Sequence, residues 1–411
     1  MEVISGSAAE QWMKERTNLQ LSKGERENRY RRIRQAMQAA GFECLVLCSS
    51  GASWMYDGNW RYIIGDQIRS NPQIDFVVFP IDGEPTLILD YGLKRHVAEK
   101  SWTPNLEAPA DPRGRDPRGK NFSTLGNFTV SLSSVVKASN KGKGKIGITP
   151  ASIPVIHYEE MKANLPDATF ADCARMMMDV RCIKSSEEIS LIRRASEIAD
   201  AGWKTACDVA KEGMLQHQLV AKWQHTAMMA GCERSFDMVD THQVGASNVE
   251  FPGDVKQLQK GDIVCAELSP VFAGYFTQLI RCMVIGEMNP KTREIVKVCE
   301  EAFKAAEELL RPGNTAGAVA EKMEGIVFQR GYIPLLRGGH TSTGLDLLEI
   351  PLHPKDDTPF QPGMAVILHP NAGVPGYKHG DPSYLGPGDT YVVTETGAER
   401  LTKCSQELVF V

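Results

Sequence analysis

Apolar side chains recur at spacings of three and four between Lys23 and Ala40, where Tyr30, Ile33, Met37 and Ala40 share one face and Gly41 closes the run. That period predicts an amphipathic helix. Beyond it the pattern shortens. Cys44-Leu-Val-Leu-Cys48 is a compact apolar run between turn signals, which predicts a strand. Phe76-Val-Val-Phe-Pro80 and Thr86-Leu-Ile-Leu-Asp90 flank an Asp82-Gly83 pair, which predicts a hairpin. Residues 103 to 125, rich in Pro, Gly and Arg, read as a loop. Lys145-Ile-Gly-Ile148 is the next strand, and helix and strand signals alternate to about Asp179. The pattern predicts a mixed α/β domain over residues 1–182.

A different pattern opens at Ile183-Lys-Ser-Ser-Glu-Glu188. Ser185 or Ser186 can cap a helix whose apolar stripe is Ile189, Ile192, Ala195, Ile198 and Ala199. A second helix is expected from Leu215 to Ala230, strands between 234 and 246, and a hairpin pairing Ile263 to Glu267 with Tyr275 to Ile285. Helices from Thr292 to Leu310 and Ala316 to Gln329 restart the cycle, with strands near 364 to 370 and 389 to 394. The order is written twice. Lys211-Glu-Gly213 matches Arg311-Pro-Gly313 at an offset of about 100 residues, as do Gly231 and Gly331, and Trp203 and Phe303. Gly261-Asp-Ile-Val-Cys-Ala-Glu267 and Gly363-Met-Ala-Val-Ile-Leu-His369 repeat one element, each ending in a side chain able to do chemistry. Residues 183–411 therefore read as a duplicated α+β catalytic domain with its site on the axis between the copies.

If the hairpin turns through Val271 to Gly274, Glu267 stands opposite Gln278 on one face of the sheet. His340 follows Arg337-Gly-Gly339, where nothing obstructs its reach, and His369 completes the set from the duplicate strand. A buried glutamate beside an amide and two imidazoles reads as a catalytic group. Trp54, Tyr56, Trp60 and Tyr62, with Arg61 and Arg69, form an aromatic run that reads more often as core; exposed, it would be able to contribute Trp60 and Arg61 to substrate binding.

Bulk properties narrow the classes. A chain of 411 residues exceeds one compact core and suits two domains. With 24% charged residues and a net charge of −5, charge gives no support to a nucleic-acid partner. No apolar run approaches the roughly 20 residues needed to span a bilayer, and the start has no basic segment before an apolar one, so a cytoplasmic protein is expected. Ten scattered cysteines without a C-x-x-C spacing point to reduced thiols.

Several stretches together resemble the creatinase, aminopeptidase P and methionine aminopeptidase superfamily, whose catalytic domain is the duplicated pita-bread fold. They are Ile183-Lys-Ser-Ser-Glu-Glu188, Gly261-Asp-Ile-Val264, Gly274-Tyr275, Arg281, Gly339-His340, Pro362-Gly-Met364 and Asp389-Thr-Tyr-Val-Val-Thr-Glu-Thr-Gly397. The resemblance covers nearly the whole chain. In metal-dependent members two Asp, a His and two Glu hold two divalent ions, and these map to Glu267, Gln278, His340, His369 and Gly388. Only the histidine is unchanged, and four carboxylates have become one, which leaves too few anionic oxygens for two hard cations. In one motif, Glu267-Leu268 with Tyr275, Leu279 and Arg281, the chain is similar to the ectoine-ring hydrolases, a branch that works without metal.

These features lead to an expectation of a homodimeric, metal-independent hydrolase in small-molecule metabolism. It would cut a non-peptide C–N bond of an amidine, guanidino or cyclic amide type, without a cofactor. Glu267 would be nucleophile or base, with His340 and His369 as proton donors and Gln278, Trp60, Arg61 and Tyr275 as substrate-binding residues. No activity on Xaa-Pro dipeptides is expected. Two alternatives stand beside it. Glu267, His340 and His369 could hold a single Fe, Mn or Zn ion in a hydrolase, lyase or Xaa-Pro-type peptidase, or the fold could serve a non-catalytic ligand-binding protein.

Overall fold

The computed structural model describes residues 21–49, 58–65, 75–88, 101–107, 132–246, 256–336, 338–341, 343–347 and 350–411. They fall into two compact units that divide between Arg181 and Cys182.

The first unit opens with the helix Lys23–Ala40. Ser22 caps it by accepting from the Glu25 amide, and Gly41 ends it in the left-handed region at φ 71°. Tyr30, Ile33 and Met37 form its buried stripe, as the spacing predicts. Six strands make one sheet in the order 105–107, 86–88, 76–80, 44–48, 145–148, 169–172. The hairpin across Asp82-Gly83 pairs Phe76 with Ile88. Within the stretch expected to be a loop, Asn105–Glu107 is a strand beside Thr86–Ile88. Here a parallel edge partner overrides a composition that favours turns. Trp60 and Tyr62 are fully buried in the short helix Gly58–Ile64. The core reading of this run holds there and the exposed, ligand-binding one fails, because Ile63, Ile64 and the aromatic rings are all drawn into this unit's core. Trp54, Tyr56 and Arg69 lie outside the described residues.

In the second unit, α1 (Ser186–Val209) begins with a reciprocal capping box between Ser185 and Glu188. It packs on α2 (Gln216–Met229), and α3 (Pro290–Glu307) packs likewise on α4 (Ala316–Gln329). The first pair covers a sheet containing β1 (Met238–His242), β2 (Ile263–Leu268) and β3 (Leu279–Val284). A second sheet contains β4 (Gly339–Thr341), β5 (Ala365–Leu368) and β6 (Asp389–Val393). The duplication is visible in the backbone. Gly213 and Gly313 (φ 82° and 94°), Gly231 and Gly331 (94° and 82°), and Gly261 and Gly363 (93° and 88°) sit pairwise in the same left-handed conformation. A side chain would strain each of these turns, so glycine recurs at the same step of both copies.

Strand alternation then sorts the faces. Val264, Ala266 and Leu268 of β2, with Val239, Leu279 and Met283, pack with Trp203, Leu219, Val220 and Trp223 of α1 and α2. Glu267 is left on the opposite face. Among the described residues no helix is long and apolar enough to cross a membrane.

Candidate active site

The hairpin that carries Glu267 does not turn where the sequence suggests. Ala273 and Gly274 both take positive φ, 50° and 86°, and make a two-residue turn between Phe272 and Tyr275. The register therefore shifts by two, and Glu267 stands opposite Ile280 rather than Gln278. A shift of two preserves the face. Gln278 becomes the diagonal neighbour of Glu267, and its Nε2 donates to Glu267 Oε2 at 3.3 Å. Its Oε1 lies 3.4 Å from His340 Nε2. With the Gln278 amino group turned to Glu267 and its carbonyl to His340, the proton in the second contact belongs to His340 Nε2. The His340 and His369 rings meet edge-on with centroids 5.9 Å apart. A continuous row, Glu267, Gln278, His340, His369, thus spans the two copies.

Burial sets the charge states. Glu267 is 7% exposed, and desolvation pushes its carboxyl up to about 7. Arg281 sits on the other face of β3 and forms a buried ion pair with Asp389 at 2.6 Å. His369 is half-buried as a residue, yet its Nδ1 is enclosed with no hydrogen-bond partner among the described residues. Burial pushes this imidazole down to about 4, so it is neutral and keeps a lone pair for another ligand.

Of the other residues named from sequence, Tyr275 is buried and donates to Glu188 Oε1 at 2.9 Å, bracing the start of α1 rather than joining the row. Trp60 and Arg61 are buried in the first unit. Periodicity gave no signal for two further features. Ile280 fills the space beside Gly388: a Cβ there would lie 2.6 Å from Ile280 Cβ and 2.8 Å from its Cδ1. Thr390, Thr277 and Ser196 form a chain of buried hydroxyls against Gln278.

This duplicated fold matches known proteins. Residues 190–395 match the model of metallopeptidase family M24, and residues 29–183 match the creatinase/prolidase N-terminal domain. The chain belongs to metallopeptidase family M24. A Xaa-Pro dipeptidase of Pyrococcus horikoshii is 28% identical over 346 residues, covering 83% of this chain and 93% of that protein. A Xaa-Pro dipeptidase of Pyrococcus furiosus is 32% identical over 264 residues, 63% and 73% of the two chains. The crystal structure of the prolidase from Pyrococcus horikoshii OT3 superposes with a TM-score of 0.77 at 24% identity, covering 93% of this chain and all of that one.

These matches correct two expectations. A metal-independent hydrolase of non-peptide C–N bonds does not accord with membership of a metallopeptidase family whose relatives are Xaa-Pro dipeptidases. The expectation of no cofactor falls with it. Loss of a two-ion ligand set does not by itself amount to loss of metal.

The residues present do not fit two ions. Gln278 and His369 stand where carboxylates are expected, and the place of a side chain at 388 is filled by Ile280. For one ion the donor types fit: a carboxylate at Glu267 and two imidazoles, one of them neutral. As the side chains stand, among the described residues no three His, Cys, Asp or Glu are grouped to hold an ion. The Gln278 amide lies between Glu267 and His340.

Proposed function

We propose that this protein is a hydrolase of the Xaa-Pro dipeptidase kind that works with one divalent ion, held by Glu267, His340 and His369. The observation that carries the reading is the row Glu267, Gln278, His340, His369, which joins both copies of the fold at the place the duplication marks. The dipeptidase relatives supply the bond type. When bound, such an ion supplies Lewis-acid polarisation of a carbonyl oxygen.

The chain's own groups do the rest. Glu267 is desolvated, and burial pushes its carboxyl up to about 7 in ion-free protein; as a ligand it would be held as the carboxylate. Gln278 fixes the carboxylate's orientation from one end of its amide and the His340 tautomer from the other. His369, lowered to about 4 by burial, stays unprotonated and would be available as a ligand.

The test is hydrolysis of an Ala-Pro dipeptide by protein stripped with chelator and then given Mn, Co, Zn or Fe(II) singly, with free proline measured. Turnover that requires an ion, saturates near one equivalent and is lost in Glu267→Gln is the expected result. Full turnover in protein shown by elemental analysis to be ion-free would overturn the reading.

A further inference from the structure

One row across the second sheet carries His340 of β4, Ile367 of β5 and Thr390 of β6 as direct cross-strand partners. Partners of this kind present their side chains on one face. Against that face lies Gln278, in the step between Tyr275–Phe276 and β3, outside the strand ladder. Its backbone is satisfied by a single side chain. The Gln278 amide donates to Thr390 Oγ1 at 3.0 Å, and Thr390 Oγ1 donates to the Gln278 carbonyl at 2.9 Å.

Proton counting gives this cluster a direction. Thr390 spends its one hydroxyl proton on the Gln278 carbonyl, so the 3.0 Å contact with Thr277 Oγ1 uses the proton of Thr277. The 2.8 Å contact between Thr277 and Ser196 then uses the proton of Ser196, which is shared with the Ile192 carbonyl 3.0 Å away. Thr390 is left fully satisfied, with two bonds accepted and one donated. Ser196, Thr277 and Thr390 are all completely buried.

We propose that Thr390 is the positioning residue of this site. It clamps the backbone of Gln278 so that the Gln278 side chain reaches Glu267 and His340 together. Both of those side-chain contacts are long, 3.3 and 3.4 Å, so a small displacement of Gln278 breaks one or the other. The clamp comes from one copy of the duplicated unit and the clamped residue from the other, which ties the alignment of the row to the packing of the two sheets. This inference rests on the reading of Glu267, Gln278 and His340 as the working site.

Two measurements test it, one of them independent of turnover. In metal-free protein, hydrogen exchange at the Gln278 amide should quicken by about tenfold or more in Thr390→Val, which keeps shape and removes the hydroxyl, and return toward wild type in Thr390→Ser. Unchanged exchange in Thr390→Val overturns the clamp whatever the substrate proves to be. The second is a double-mutant cycle on Ala-Pro turnover. Thr390→Val and Gln278→Ala should each lower kcat by about tenfold with little change in KM, and the pair should lower it no further than either alone. Losses that multiply would show that Thr390 acts elsewhere and overturn the assignment. Should wild-type protein not cleave Ala-Pro, the proposed function fails while the exchange measurement still decides the clamp.

Discussion

Replacing Glu267 by Gln in ion-free protein should stabilise the fold at alkaline pH and do so far less in acid. In the folded state burial penalises the charged carboxylate and pushes the Glu267 pKa from its ordinary 4.5 up to about 7. A group raised in this way contributes its full stability below the unfolded pKa, and that stability is lost as pH rises through the folded pKa. Carrying the charged carboxylate in the fold costs the wild type about 3 kcal/mol at about pH 8.5, and less than about 1 kcal/mol at about pH 5. Glutamine removes the charge and keeps the oxygen that accepts from Gln278 Nε2. Any cost of its extra amide protons is the same at both pH values and cancels in the comparison. Urea unfolding of both proteins in chelator should therefore show the advantage of Glu267→Gln growing by about 2 to 3 kcal/mol from acid to alkaline buffer. A pH-independent difference, or one that shrinks on raising pH, would mean that Glu267 has a cationic partner or open access to water, and would refute the argument.

Divalent ions should act on only one of the two proteins. Mn or Co should stabilise wild type by about 3 kcal/mol at about a hundred times Kd and leave Glu267→Gln almost unmoved, as thermal melts would show. Gly388→Glu should cost about 1 to 3 kcal/mol from overlap with Ile280, and Ile280→Ala in the same chain should recover part of it. A cost unaffected by Ile280→Ala would mean that the obstruction lies elsewhere. Asp389→Ala should destabilise by about 3 to 5 kcal/mol, because it strands Arg281 as an uncompensated buried charge. A loss below about 1 kcal/mol, measured by denaturant unfolding, would show that water reaches that pair.

Local pattern carries much of the architecture. The helix Lys23–Ala40 and the helix Ala316–Gln329 have the bounds that their apolar spacing and flanking Ser22, Gly41 and Thr315 imply. The duplication is legible because glycine alone tolerates the left-handed turn that each copy makes at the same step. Family motifs also single out Glu267, His340 and His369, which the fold brings into one row. These are short-range signals, set by covalent geometry and burial period, and they survive in one dimension.

The decisions about chemistry are long-range. Whether Glu267 faces Gln278 or Ile280 depends on two positive φ angles at Ala273 and Gly274, and no spacing rule distinguishes a two-residue turn from a four-residue one there. That Trp60 and Tyr62 lie in a core and not on a surface depends on what packs around them, since their sequence reads alike in both settings. The filling of the Gly388 place by Ile280, and the clamp of Gln278 by Thr390, join residues more than a hundred positions apart. The amino-acid sequence by itself determined a duplicated two-domain fold and the identity of its polar row. Only the tertiary structure decided the spacing, protonation and support of that row, because each depends on atoms brought together by the packing of the two copies.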